Sequence, residues 1–212
     1  MKKKYTADDI KALDAGEHVR ARPKMYFKKC FLENSLDSLP FEGLCHAFDE
    51  YFDGNCNKIE LTVWENSFSI KYNTGMSLSI IELENISYAE IIMTKIGACS
   101  NLKKHLAVGQ EFCDLGMATI NFASEKCKLT TQWENKRGIF EFEDGTTKTK
   151  SIEPFESRNS WTEIFVLPNK SLFENLRFTS KGIKKKTVEI NNRLAELNII
   201  IIDKIENNTS PL

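Results

Sequence analysis

One stripe of the segment from Phe41 to Gly54 carries four side chains that can do chemistry. Glu42, His46, Asp49 and Asp53 are spaced at i, i+4, i+7 and i+11, which aligns them along one edge of a helix that turns about 100° per residue. A row of carboxylates and an imidazole can bind a transition metal or act in acid–base catalysis. The alternative is the solvated face of an amphipathic helix, which periodicity alone favours.

The other face of this predicted helix is apolar. It comprises Phe41, Leu44, Cys45, Phe48 and Phe52. Gly54 follows and supplies a C-cap. We therefore predict that a helix over 41–53 packs across a sheet and holds the four polar residues at its edge.

The strands and other helices that must position this helix are predicted from changes in the period of the hydrophobic pattern. After Gly54, Ile59, Leu61 and Val63 alternate with polar neighbours, as do Phe68 and Ile70, and a tight hairpin at 65–66 joins the two strands. Further strands are predicted within 127–167 and at 197–202, where four consecutive isoleucines suit an interior strand covered on both faces. Further helices are predicted at 6–17, 88–96, 114–124 and 180–196, with an extended connection at 18–27 and a loop at 28–40.

The composition is that of a globular protein. The chain has 212 residues, of which 41% are hydrophobic and 28% charged, and its net charge of −1 gives no reason to expect direct DNA binding. Its six cysteines form no CxxC pair, which argues against a zinc ribbon or a disulfide framework. No run approaches the about 20 apolar residues of a membrane span, and the basic start lacks a signal-peptide core. We expect a cytoplasmic protein with no membrane partner.

No repeat and no linker-like segment divides the sequence. We therefore predict one α+β domain over residues 1–212, with helices on one face of a mixed, mostly antiparallel sheet. Residues 1–17 would form an N-terminal arm and first helix, and residues 205–212 a frayed tail.

Several segments, in chain order, share a pattern with a known family. They are YTADDIKALDAGEHVRARPKMYF (5–27), FEGLCHAFDEYFDG (41–54), KIELTVWENSFSIKYNTG (58–75), AEIIMTKIGA (89–98), DLGMATINFASEK (114–126) and WTEIF (161–165). Together they resemble the ATPase domain of the gyrase B subunit and its type IIA topoisomerase relatives. The resemblance covers about residues 5–204 and implies the Bergerat or GHKL α/β sandwich. It includes no transducer domain and no DNA-cleavage domain.

The resemblance assigns roles to the polar stripe, with one departure. Glu42 falls on the family's general base, which orients the attacking water. His46 occupies the position of the Asn that ligates Mg²⁺, and imidazole is a poor ligand for a hard cation. Asp49 would line the same nucleotide pocket. Magnesium binding is therefore not expected.

The remaining pocket positions come from the second strand of the hairpin and from a later strand. Asn73 replaces the Asp that accepts the adenine amino proton, and its neutral amide oxygen can still accept that bond. Gly75 is kept, whereas Ser77 stands where a second glycine is usual. Thr162 keeps the family's Thr position.

The segment at the position of the phosphate-binding lid departs most from the family pattern. The family's Gly-x-His-Gly-x-Gly loop corresponds to residues 111–116, where Gly116 alone survives. Glu111 and Asp114 place carboxylates close to the expected phosphates, and each like charge there would cost on the order of 1–4 kcal/mol. The lysine expected after the preceding helix is missing, although Lys103 or Lys104 could take its role in a shifted alignment.

These departures leave two main functional hypotheses. The first is a degenerate pseudo-ATPase that binds adenine nucleotide weakly at most and acts on an unidentified protein partner or as a homodimer, as a regulator, inhibitor or immunity-type protein. The second is an ATP-binding GHKL ATPase with atypical metal and lid residues. A third hypothesis is transition-metal binding by Glu42, His46 and Asp49.

Overall fold

The computed structural model describes residues 12–98, 104–109, 112–157 and 159–206. It contains a seven-stranded sheet with strand order β7-β6-β5-β8-β2-β1-β9, and a separate two-stranded ladder, β3-β4. The strands are β1 (Lys58–Val63), β2 (Phe68–Tyr72), β3 (Ile80–Ile81), β4 (Ile86–Ser87), β5 (Ser124–Trp133), β6 (Lys136–Glu143), β7 (Thr146–Pro154), β8 (Trp161–Pro168) and β9 (Asn198–Asp203). β1 and β9 run parallel, and the other neighbours in the large sheet are antiparallel.

Helices cover one face of the large sheet. They are α1 (Ala15–Ala21), α2 (Pro23–Tyr26), α3 (Lys28–Glu33), α4 (Leu39–Glu42), α5 (Cys45–Phe52), α6 (Tyr88–Thr94), α7 (Gly116–Phe122), α8 (Lys170–Phe173) and α9 (Ser180–Arg193), with a 3₁₀ turn at Lys104–Val108. None of the helices in these ranges has the length and apolar character to cross a bilayer. The predicted fold class, an α+β sandwich with a mostly antiparallel sheet, is confirmed.

The core lies between the helices and the inward side of each strand. The predicted hairpin is confirmed, and β1 pairs with β2 from Ile59–Tyr72 to Val63–Phe68. In β1, Ile59, Leu61 and Val63 are fully buried, while the residues between them are partly exposed. This alternation places one side of the strand against the helices and the other side on the face that no described helix covers, called here the helix-free face.

The N-terminal region corrects two predictions. The first helix is predicted over 6–17, of which 6–11 lie outside the described residues, but the structure begins α1 at Ala15. Asp14 caps it because its carboxylate accepts from the amide of Glu17, whose side chain accepts in return from the amide of Asp14. The extended connection predicted at 18–27 is wrong, since Pro23 takes the first position of α2, where its missing N–H costs nothing.

The helix predicted over 41–53 is also shorter than expected, and residues 28–40 are not a loop. α3 and the start of α4 fall within 28–40. The helix is interrupted at Gly43 and Leu44, which separate α4 from α5. A Cβ at Gly43 would lie 2.8 Å from Cδ1 of Ile70, so any larger residue here would have to displace that side chain of the sheet. Phe52, predicted as part of the apolar stripe, is exposed.

The final strand lies elsewhere in the sheet than predicted. Its isoleucines predict an interior position, but among the described residues β9 forms an edge and pairs with β1 alone. Ile199 is buried, Ile200 and Ile201 are half-buried, and Ile202 is exposed. A run of isoleucines indicates a strand correctly, but it cannot say how many neighbours that strand will have.

Candidate functional site

Glu42, at the end of α4, has both carboxylate oxygens engaged and is only 2% exposed. Oε1 accepts from Nζ of Lys29 at 2.6 Å. Oε2 accepts from the backbone amides of Asp114 at 2.7 Å and Leu115 at 3.1 Å. Burial raises the pKa of Glu42, and the contacts with Lys29 and the two amides act in the opposite direction. The carboxylate therefore joins α3, α4 and the segment leading into α7.

His46, one turn later on α5, is buried and contacts the sheet. Its Nδ1 lies 3.1 Å from the hydroxyl of Tyr72 in a hydrogen bond, and its Nε2 lies 3.8 Å from Oε1 of Glu50. Desolvation lowers the pKa of His46, more than the nearby carboxylates of Glu50 and Asp49 raise it. The imidazole is thus a neutral interior group, bonded to the strand beneath it.

Asp49 completes a buried contact with the 3₁₀ turn. Its Oδ1 accepts from the backbone amide of His105 at 2.7 Å and lies 2.9 Å from Nδ1 of the same residue. Both side chains are about 5% exposed. Farther along α5, Asp53 pairs with Lys104, but there both side chains are half-exposed. Two acidic residues of the stripe therefore fix the 104–108 turn to α5.

The polar stripe is therefore not a solvated face. Glu42, His46 and Asp49 are buried and hydrogen bonded, whereas Asp53 is half-exposed. The solvated-face interpretation of the pattern is wrong for three of the four residues. The described ranges contain no group of three His, Cys, Asp or Glu side chains arranged to hold a metal ion.

Thr162 lies next to Tyr72 in the sheet and is fully buried. The two residues are cross-strand partners between β8 and β2. The Thr162 hydroxyl donates to the carbonyl of Thr74 at 2.8 Å and lies 2.9 Å from the hydroxyl of Thr131, which accepts from the amide of Met76. This chain of hydrogen bonds satisfies the hydroxyls and fixes the turn that follows β2.

The structure does not bring Asn73 to these residues. Asn73 is exposed, and its Oδ1 accepts from the amides of Asn57 at 3.1 Å and Lys58 at 3.0 Å, while its Nδ2 donates to Oδ1 of Asn57 at 2.8 Å. Its side chain thus ties the end of β2 to the start of β1. Tyr72 is the residue of this segment that faces His46 and Thr162.

The two predicted pocket glycines serve different backbone needs. A Cβ at Gly75 would lie 2.2 Å from the carbonyl oxygen of Gln132, so the 73–75 turn packs directly on β5. Gly116 begins α7 with a φ of +74°, which favours glycine, and it has open space around it. Of the two lid carboxylates, Asp114 is exposed, while Glu111 and the lysine candidate Lys103 lie outside the described residues.

Three residues of this site were missed by sequence reasoning: Tyr72, Lys29 and His105. The alternation Phe68, Ile70, Tyr72 could have identified Tyr72 as the inward residue, since it puts Asn73 in the opposite phase. Neither Lys29 nor His105 carried a comparable signal. Lys29 lies in a stretch predicted as loop, and His105 in a stretch that no periodicity assigned.

The seven-stranded sheet, the helices on one face and the buried Glu42–His46–Asp49 edge define a GHKL-type α/β sandwich. No family model matches the chain. It is, however, 30% identical to the DNA gyrase B subunit of Rickettsia typhi over 94% of this chain and 25% of that protein. It is 29% identical to the DNA topoisomerase 4 B subunit of Francisella tularensis over 85% of this chain and 29% of that protein. It is 28% identical to the DNA gyrase B subunit of Archaeoglobus fulgidus over 95% of this chain and 33% of that protein.

The resemblance to the gyrase B subunit is thereby confirmed over almost the whole chain. The chain spans about a quarter to a third of the length of the curated relatives it matches.

Proposed function

We propose that this chain is a gyrase-B-related GHKL domain without effective ATP hydrolysis that acts as a protein-binding or regulatory module of the inhibitor or immunity type. The observation that carries the proposal is the engagement of Glu42. Its two oxygens already accept from Lys29 and from the amides of Asp114 and Leu115. The structural role of Glu42 is sufficient to explain why a carboxylate is present at this position, without a role in catalysis.

A general base in water activation must accept a hydrogen bond from the attacking water. In this chain, Oε2 of Glu42 accepts from two amides and Oε1 accepts from Lys29, which leaves one lone pair on Oε1, beside the ammonium group. The side chain is only 2% exposed, and a water that displaces Lys29 must replace a charge-assisted hydrogen bond that contributes about 1.5–3 kcal/mol, which raises the barrier to reaction. Weak or absent hydrolysis follows.

The residues at the expected metal position do not fit magnesium. The only side chain that the resemblance assigns to Mg²⁺ is His46, and its Nδ1 is hydrogen bonded to Tyr72 in the interior. Mg²⁺ requires oxygen ligands in near-octahedral geometry, which an imidazole between two packed elements does not provide.

Adenine recognition is also altered. The resemblance assigns it to Asn73, whose amide is used between the end of β2 and the start of β1. Tyr72 instead places a large ring beside Thr162 and His46. A filled interior and a displaced amide support weak adenine binding at most.

A second candidate is an ATP-binding GHKL domain with atypical metal and lid residues. Two observations favour it: Glu42 and Thr162 both remain inside the fold, and the relatives at 28–30% identity are gyrase and topoisomerase subunits. The two candidates predict different trends in affinity for adenosine, ADP and ATP. A GHKL ATPase gains affinity from adenosine through ADP to ATP, because the phosphates and Mg²⁺ add contacts.

Calorimetric titration with adenosine, ADP and ATP, each with and without Mg²⁺, tests the choice. We expect binding that is weak and that does not strengthen along this series. A phosphate-release assay should show no turnover that depends on Glu42, when Glu42→Ala is compared with Asp53→Ala as a carboxylate control on the same stripe. Tight ATP binding that requires Mg²⁺, or turnover lost in Glu42→Ala but kept in Asp53→Ala, would establish the second candidate instead.

A further inference from the structure

The two edge strands of the large sheet differ in chemistry. β7 carries Lys148 and Lys150, and charged side chains on an edge disfavour pairing with another chain. β9 carries four consecutive isoleucines, 199–202, and its first charged residue is Asp203. Within the part of the chain that the structure describes, no strand pairs with the outer side of β9.

The backbone of β9 shows which groups point away from the sheet. The amides of Asn198 and Lys204 donate to the carbonyls of Asn57 and Val63. In a parallel ladder, alternate residues bond to the same neighbour, so residues 198, 200, 202 and 204 face β1. The peptide groups of Ile199, Ile201 and Asp203 therefore point outward, where a further strand would lie.

The side chains of β9 divide between the two faces of the sheet. Ile200 and Ile202 are in register with Glu60 and Thr62 of β1, whose side chains lie on the helix-free face. Ile202 is 39% exposed and Ile200 is half-buried. An apolar pair next to an unpaired backbone edge is the surface expected of a strand that associates.

We propose that β9 pairs antiparallel with β9 of a second copy of this chain, about a twofold axis. Centred on Ile201, the register opposes Ile201 to its own equivalent and Ile200 of each copy to Ile202 of the other. All three outward-facing residues then form backbone hydrogen bonds, and opposed side chains lie on the same face. Ile200 and Ile202 of both copies form one apolar cluster on the helix-free face.

Self-pairing is favoured over a different partner because this register is complementary to itself. Asn198 opposes Lys204, and Asp203 opposes Ile199, so no like charges are directly opposed between the two paired strands. An isologous contact of this kind closes after two copies and does not propagate. The proposal rests on the protein-binding part of the proposed function, and nucleotide binding has no part in it.

Sedimentation of the full chain over a concentration series is the test. We expect a concentration-dependent shift from 24.3 kDa to twice that mass. Ile202→Lys should weaken dimerisation by about tenfold or more, since it places a charge in the apolar cluster of both copies. Ile152→Lys is the matched control, because Ile152 is 40% exposed on the opposite edge strand, and it should leave the dimer unchanged.

Amide hydrogen exchange of the wild-type chain gives a second readout, which does not depend on whether a variant folds. The amides of Ile199 and Ile201 should exchange more slowly as protein concentration rises. A wild-type chain that stays monomeric, or equal effects of Ile202→Lys and Ile152→Lys, would overturn the proposal. Protection of these amides in a monomer would also overturn it and would assign the edge to another segment of the same chain. None of these outcomes bears on ATP hydrolysis, which the calorimetry and phosphate-release assays test separately.

Discussion

Nδ1 of His46 and the hydroxyl of Tyr72 are hydrogen bonded at 3.1 Å, in the interior between α5 and β2. Desolvation lowers the pKa of His46 and raises the pKa of Tyr72, so both groups are neutral near pH 7. Their rings are 5.7 Å apart between centroids and tilted by 40°. This contact occupies the place where the gyrase resemblance puts a magnesium ligand.

Tyr72→Phe should lower the free energy of unfolding by about 1–2 kcal/mol, because it removes the hydrogen-bond partner of a buried imidazole. Tyr51→Phe is the control, since Tyr51 is half-buried on the same helix as His46. The control should change stability by no more than about 0.5 kcal/mol. Urea unfolding of both variants measures the difference, and equal losses would refute a specific role for the hydroxyl.

The raised pKa of Glu42 predicts a pH-dependent stability difference between the wild type and Glu42→Gln. When burial raises the pKa of a carboxyl in the folded state, the folded chain binds the proton more tightly than the unfolded chain. The contribution of Glu42 to stability is therefore greatest below its ordinary pKa of 4.5 and falls as pH rises through the folded-state pKa.

The measurement is urea unfolding of both proteins from below pH 4.5 to neutral pH. We expect the wild-type advantage in free energy of unfolding to shrink as pH rises over this window. The contact with Lys29 favours the ionised carboxylate, so its opposite effect on the slope is already part of the net shift in the pKa of Glu42. An advantage that is constant or grows with pH would mean that the amide and lysine contacts outweigh burial.

Asp49 and His105 should contribute more to stability than the neighbouring pair of Asp53 and Lys104. Asp49→Asn weakens two buried contacts with His105 and should cost about 1–3 kcal/mol. Asp53→Asn removes an ion pair between half-exposed side chains and should cost less than about 1 kcal/mol. Hydrogen exchange at the His105 amide should accelerate in the first variant and stay near the wild-type rate in the second. The reverse order would show that the surface pair holds the 104–108 turn.

Gly75 gives a test that separates packing from nucleotide binding. In Gly75→Ala, the added Cβ would lie 2.2 Å from the carbonyl oxygen of Gln132, so the 73–75 turn must shift away from β5. Overpacking of this kind costs about 1–3 kcal/mol, and the loss should appear in protein without nucleotide. Gly54→Ala, which has open space but a φ of +79°, provides a comparison for backbone strain alone. A stable Gly75→Ala with altered ATP binding would restore the nucleotide interpretation.

The sequence by itself determined the local elements whose causes are local. The hairpin of β1 and β2 and the four strands within 124–168 follow from the alternation of apolar and polar residues. The order of motifs also determined the fold class, because a mostly antiparallel sheet with helices on one face is what the gyrase resemblance implies. Even the polar stripe was identified, although its surroundings were not.

The tertiary structure alone decided what each polar residue contacts. Glu42 and Lys29 are 13 residues apart, and Asp49 and His105 are 56 apart, so no helical or strand period relates them. Burial of the stripe depends on segments that fold over α4 and α5, among them α3, in a stretch that the sequence predicts as loop, and the 104–108 turn, in a stretch that no periodicity assigned. The edge position of β9 likewise depends on strand order, which is set by the packing of the whole sheet and not by the four isoleucines of the strand. Local patterns record the periodicity of the backbone, whereas contacts between distant residues appear only when the chain has folded.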